Sequence, residues 1–230
     1  MGLFLLIILG AMGLSLWAQW HVKGVYNYYS QFSTSSGATG ADVAAAILDR
    51  AGIHDVEIVP IDQMLGDHYD PINKRLVLSS ENYHGLSVAA VGVAAHECGH
   101  AIQHQQAYAP LQWRMASIGL VNFVSPILMW LPFLVIFHLF PGRMVLMLGS
   151  LAMGVIMLFN LITLPVEFDA SNRAKEVLRT MGFVGSREEI EGVKKTLDAA
   201  GWTYVAAFIV SLGSFLYYFL PLLLGGRRND

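Results

Sequence analysis

The stretch Met144-Val145-Leu146-Met147-Leu148-Gly149-Ser150, continuing to Leu164-Pro165-Val166-Glu167-Phe168-Asp169-Ala170-Ser171, decides the fold. From Met144 to Val166 it contains no Asp, Glu, Lys or Arg, and then an acidic segment follows at once. A helix rises about 1.5 Å per residue and a bilayer's hydrocarbon core is roughly 30 Å thick, so about 20 apolar residues span it. This run is long enough. Three further uncharged windows, Met1 to Trp20, Met115 to Gly142 and Ala199 to Gly226, reach or nearly reach the same length. The first lacks the basic start and small-residue cleavage site of a signal peptide, since Ala18-Gln19-Trp20-His21 leads out of it, and it is expected to remain as an anchor.

Composition agrees with this reading. The 230 residues are 55% hydrophobic and only 13% charged, with a mean hydropathy of +0.51, too apolar for an ordinary soluble domain. The expected fold class is an α-helical membrane protein with four transmembrane helices, at 1–20, 115–142, 143–166 and 201–226, and a short tail at 227–230. Polar blocks at 21–114 and 167–200 carry nearly all the charge. Cytoplasmic loops retain lysine and arginine, and Lys23, Arg50, Lys74, Arg75, Arg114, Arg173, Lys175, Arg179, Arg187, Lys194 and Lys195 lie in these two blocks, against Arg143, Arg227 and Arg228 elsewhere. Both blocks are therefore expected in the cytoplasm and both termini outside, in a multi-pass protein of the cell membrane. The lipid bilayer is thus one partner. A net charge of -3 provides no basic footprint, so nucleic acid is not expected as another. The single cysteine, Cys98, rules out an intrachain disulfide and fits a reducing compartment.

Within the first polar block, Tyr26 to Gly40 reads as a juxtamembrane connector. Thr39 then caps a helix with Asp42 three residues on, and Gly52 ends it. Val56–Val59 and Leu76–Leu78 read as strands of a small sheet. Ser87 is placed to cap a helix from Val88 to about Gln106, and this helix carries His96-Glu97-Cys98-Gly99-His100. Two histidines four residues apart lie one turn apart on the same face and can grip one metal ion. Imidazole suits zinc, and a catalytic site needs a third protein ligand plus one open position. Glu97, beside the pair, is placed to take a proton from water activated at the metal and hand it to a leaving amine.

The third ligand is chosen among several. His104 lies eight residues from His96, more than 10 Å along the axis of a straight helix, too far to share one ion. The metzincin spacing also fails, because Gln103 and Gln106 stand where it needs Gly and His. Of the acidic candidates, Glu167 stands out because it opens the second polar block directly after a span; Asp169, Glu176 and Asp70 are the others.

Asp67-His68-Tyr69-Asp70-Pro71, the run Val93 to His104, and Leu164 to Ser171 together resemble the bacterial membrane zinc metallopeptidases of the YugP type, over nearly the whole chain. More distantly the chain is similar to gluzincin membrane peptidases of the HtpX kind, whose zinc site is completed by a glutamate on a second helix. That likeness implies a small α+β gluzincin-like unit, one Zn2+ per chain and Glu167 as ligand. Those relatives carry an aspartate four residues after the ligand glutamate, where this chain has Ser171. Asp169, Ser171, His104 and backbone carbonyls are therefore all candidates for orienting the histidines, and Asn172 and Arg173 for stabilising an oxyanion.

Leu76-Val77-Leu78 has a functional reading as a sheet edge that holds substrate as an added strand, beside a plain one as a core strand. Asp67 to Pro71 reads as a tight turn, Cys98 as a packing residue, and His138 as a polar group in the second span. The expected function is a membrane zinc endopeptidase acting on proteins or peptides near the cytoplasmic face. The rival is a membrane scaffold or binding protein with a structural zinc. The sequence is silent on oligomeric state.

Overall fold

The computed structural model describes residues 2–63, 66–137 and 139–225, with side chains from residue 9 to residue 224. His138, Arg227 and Arg228, weighed above, lie outside the described residues. In chain order the elements are α1 (Gly2–Tyr29), α2 (Gly40–Arg50), β1 (Glu57–Ile61), β2 (His68–Asp70), β3 (Arg75–Ser79), α3 (Ser80–Tyr83), α4 (Val88–Gln105), α5 (Ala109–Ile136), α6 (Gly142–Thr180) and α7 (Arg187–Gly225). They form two compact units.

The apolar unit draws on α1 up to Ala18, α5 from Trp113, α6 up to Leu164 and α7 from Thr203. Among the described residues, α5, α6 and α7 are long and apolar enough to cross a membrane. Their side chains are mostly exposed, as Phe123, Met129, Leu151 and Leu223 are, which is the pattern of helices whose solvent is lipid rather than water. A small residue lets α6 and α7 approach closely: a Cβ on Gly149 would sit 2.4 Å from the Tyr218 ring. A polar contact between the same helices accompanies it, as Asn160 Nδ2 donates to the Ala207 carbonyl (3.2 Å) and Ser211 Oγ (3.1 Å).

The polar unit comprises Gln19–Gln112 and Pro165–Trp202. Its centre is α4, which is buried almost all round because Ala and Val occupy every face. Ser87 Oγ accepts from the Ala90 amide and starts the helix. The core around α4 includes Ile47, Leu76, Leu78, Val91, Cys98, Leu178 and Val193. Helix α2 begins with the Thr39–Asp42 capping box and is closed by Gly52, whose φ of +68° favours glycine. Helix α7 begins with Ser186 and Glu189 bonded to each other's amides.

Two expectations are corrected. Tyr26 to Gly40 is not a loose connector: α1 continues to Tyr29, Tyr26 Oη donates to Asn82 Oδ1 (2.7 Å), and the Val88 amide donates to the Phe32 carbonyl (2.8 Å). The segment is tied to the start of α4 by these bonds, and Thr34 is buried within it. Leu76, Val77 and Leu78 do not form a sheet edge. The strand order is β1-β3-β2, with β1 parallel and β2 antiparallel to β3. Leu76 and Val77 thus have a strand on each side, Leu78 is paired on the β1 side, and all three side chains are buried, which is the plain reading of a core strand.

Candidate metal centre

His96 and His100 project from one face of α4, and Glu167 faces them from α6, two residues past Pro165. Glu167 Oε2 lies 3.3 Å from His96 Nε2 and 3.6 Å from His100 Nε2. The imidazole rings are 4.8 Å apart between centroids and nearly perpendicular, at 84°. Among the described residues this is the one group of three acidic, histidine or cysteine side chains whose donor atoms all lie within 4.8 Å of each other.

Spacing decides what such a group suits. Four ligands placed tetrahedrally at about 2.0–2.1 Å from zinc are separated by roughly 3.3 Å, close to both observed separations. Charge-assisted N–H···O bonds are shorter, about 2.7–2.9 Å. The donor set, two imidazole nitrogens and one carboxylate oxygen, is also one that zinc takes in catalytic sites. The three residues therefore fit a zinc ion, with one tetrahedral position left over.

The electrostatics agree. Burial works against charge on His100, but its pairing with Glu167 and the negative charges of Glu97 and Glu167 outweigh burial and raise its pKa. Burial would push the Glu167 carboxyl up, yet pairing with His100 and His96 holds it far below the usual carboxylate range. The pocket thus favours a positive charge among three electron-pair donors. Glu97 is buried on the same helix and its charge reaches His100.

The two histidines are held from behind by different groups. Ser171 Oγ lies 3.1 Å from His96 Nδ1, so the residue that replaces the distant relatives' aspartate contacts a ligand directly. His100 Nδ1 lies 3.0 Å from Gln103 Oε1. Asp169 reaches His100 only through that glutamine, accepting from Gln103 Nε2 at 2.8 Å. Gln103 was the residue sequence reasoning missed. In the sequence it stands out only as a mismatch to the metzincin spacing, although a position three after a ligand returns to the ligand's side of the helix.

His104 is not part of this group; its Nδ1 lies 2.9 Å from Tyr69 Oη. Asn172 is exposed and lines a groove with Arg179, Val184 and Ile190. Five residues on from Glu167 is about 140° round the helix. Arg173 Nε donates to Asp169 Oδ2 (2.5 Å) and Nη1 to Gln106 Oε1 (2.7 Å), which commits the guanidinium to the support behind His100. His68 Nδ1 contacts the Gly66 carbonyl, and Asp70 accepts from Asn73 and Ile72; both belong to β2 and its turn. Cys98 is fully buried with Sγ 3.7 Å from the Ala44 carbonyl, and burial raises its thiol pKa well above normal.

Comparison with known proteins supports the same chemistry. The chain is 44% identical over 229 residues to the "Putative membrane protease YugP" of Bacillus subtilis (strain 168), covering 99% of this chain and 100% of that protein. No solved structure matches it. The family model described as "Putative neutral zinc metallopeptidase" matches residues 4–222, and the chain belongs to that family.

Proposed function

We propose that this protein is a membrane-embedded zinc endopeptidase that hydrolyses peptide bonds of proteins or peptides near the cytoplasmic membrane face. The observation that carries the proposal is the convergence of His96, His100 and Glu167 at zinc-ligand spacing, with the buried Glu97 beside them. The three residues hold the ion. A bound zinc ion polarises a carbonyl and lowers the pKa of water towards about 7. Glu97 acts as general base, taking the proton from the attacking water and delivering it to the leaving amine. Gln103 and Ser171 keep the two imidazoles turned towards Glu167. The fold around them is a gluzincin-like α+β unit, with one zinc per chain.

The membrane reading comprises four spans, α1 included, with the polar blocks in the cytoplasm and both termini outside. It is supported by the lysine and arginine distribution and by exposed indoles at the window ends: Trp20, Trp113 and Trp202 are 72%, 60% and 48% exposed, as in the aromatic belts of membrane interfaces. Glu167 directly follows an apolar window on a continuous helix, which favours substrates close to the membrane. A reporter fused after Asp230 that is active only in the cytoplasm refutes this topology.

The scaffold reading requires a fourth protein ligand. Of the three residues that could supply it, His104 is engaged by Tyr69, Asp169 by Gln103 and Arg173, and His68 by the Gly66 carbonyl, so the peptidase reading stands as the better supported. Glu97→Gln tests it. The variant is expected to bind one zinc per chain and to lose at least 100-fold of its peptide hydrolysis; unchanged hydrolysis with zinc bound overturns the mechanism.

A further inference from the structure

We propose that Gln103 is the positioning residue of the metal centre, fixing the tautomer of His100 and tying its helix to the segment that carries Glu167. The proposal rests on the reading of His96, His100 and Glu167 as zinc ligands.

Gln103 is completely buried, and all of its polar groups face named partners. Its Nε2 donates to the Val166 carbonyl (2.8 Å) and to Asp169 Oδ2 (2.8 Å), while its Oε1 lies 3.0 Å from His100 Nδ1. The Val166 carbonyl can only accept, and Asp169, paired with Arg173, is an acceptor as well. The amide therefore cannot turn round: the reverse orientation would set its oxygen against two acceptors. With Oε1 fixed towards His100, neutral His100 must carry its proton on Nδ1. Its Nε2 then offers a lone pair on the side of Glu167, which is the form a zinc ligand requires.

His96 lacks so decisive a partner, because the Ser171 hydroxyl can either donate or accept. The second part of the role is mechanical. Val166 directly precedes Glu167, so one side chain on α4 holds both the orientation of one ligand and the backbone next to another. Buried Gln is costly unless every group is satisfied, and here the cost is met by a set of bonds centred on the site.

The test uses the full chain purified in detergent, with Zn2+ affinity measured by competition with a chromophoric chelator and the absorption spectrum of the Co2+-loaded protein as a second readout. Gln103→Leu keeps the bulk and removes every bond. It is expected to weaken zinc binding 10- to 100-fold and to alter the cobalt spectrum, while Ser171→Ala weakens binding less. Gln103→Glu retains an acceptor for His100 but sets its second oxygen against the Val166 carbonyl and the Asp169 carboxylate, so it too is expected to bind zinc more weakly than Ser171→Ala does. If Gln103→Leu does not fold, the Gln103→Glu and Ser171→Ala pair decides by the same ordering. Zinc affinity within twofold of the parent in a folded Gln103→Leu, or in Gln103→Glu where that is the variant measured, overturns the inference. A parent chain that binds no zinc overturns the ligand reading instead.

Discussion

Gly99 is where the two ligand-bearing helices touch, and replacing it with alanine is the most direct test of how tightly the site depends on their approach. A Cβ at residue 99 would lie 2.7 Å from the Ala170 carbonyl oxygen and 3.0 Å from Ala170 Cα. Both atoms are backbone, so no flexible side chain can yield. Restoring an ordinary contact of about 3.4 Å separates α4 from α6 locally by roughly 0.7 Å. Zinc–ligand distances tolerate only about ±0.2 Å, and His96 and His100 lie on one side of the joint with Glu167 on the other. Overpacking costs about 1–3 kcal/mol, against a gain of about 1 kcal/mol in helix propensity. Gly99→Ala is therefore expected to lose 10- to 100-fold in zinc affinity with a modest fall in Tm. Gly92→Ala on the same helix is the control: its Cβ would meet Val193 at 3.7 Å, an ordinary contact, so zinc affinity should hold and stability should not fall. Chelator competition and thermal melting in detergent read both. If Gly99→Ala binds zinc within twofold of the parent and melts no lower than Gly92→Ala, helix approach does not set the site.

Metal removal gives a second expectation: chelation should lower the parent's melting temperature, since a hundredfold excess of zinc over its Kd contributes about 2.7 kcal/mol. The same chelator should leave Glu167→Ala unmoved, and an equal shift in both would remove Glu167 from the ligand set. Acid stability gives a third, through Glu189. Its carboxylate accepts from the amides of Ser35, Gly185 and Ser186. Burial raises its pKa, but those backbone bonds outweigh burial and lower it overall. A folded pKa below the unfolded one means that the group stabilises the protein above the unfolded value of about 4.3, and that this is lost as pH falls through the folded value. Glu189→Gln should cost roughly 1–3 kcal/mol near neutrality and flatten the stability profile below about pH 4. A Glu189→Gln profile parallel to the parent's, measured by urea unfolding across that range, would refute it.

What could be read from the sequence was what local geometry determines. The placing of His96 and His100 on one face follows from the four-residue spacing on a helix with a recognisable cap, and the candidacy of Glu167 from the abrupt end of an apolar window. The sheet failed at the point where pairing is nonlocal. Asp67 and Asp70-Pro71 are turn formers, yet His68–Asp70 pairs with Arg75–Val77, and three added residues are enough to move Leu76 and Val77 from an edge to the centre. The groups behind the ligands failed for the same reason. Gln103 bonds to residues 63 and 66 positions away, and Ser171 to one 75 positions away, so only the packing of α4 on the Glu167 segment assigns Ser171 to His96 and Gln103 with Asp169 to His100. A motif can name the atoms that hold a metal because those lie within one helical turn. The side chains behind them find partners that lie, in sequence, beyond two apolar windows, and Gly99, unremarkable within the motif, is seen to matter only once the Ala170 backbone is found 2.7 Å from where its Cβ would be.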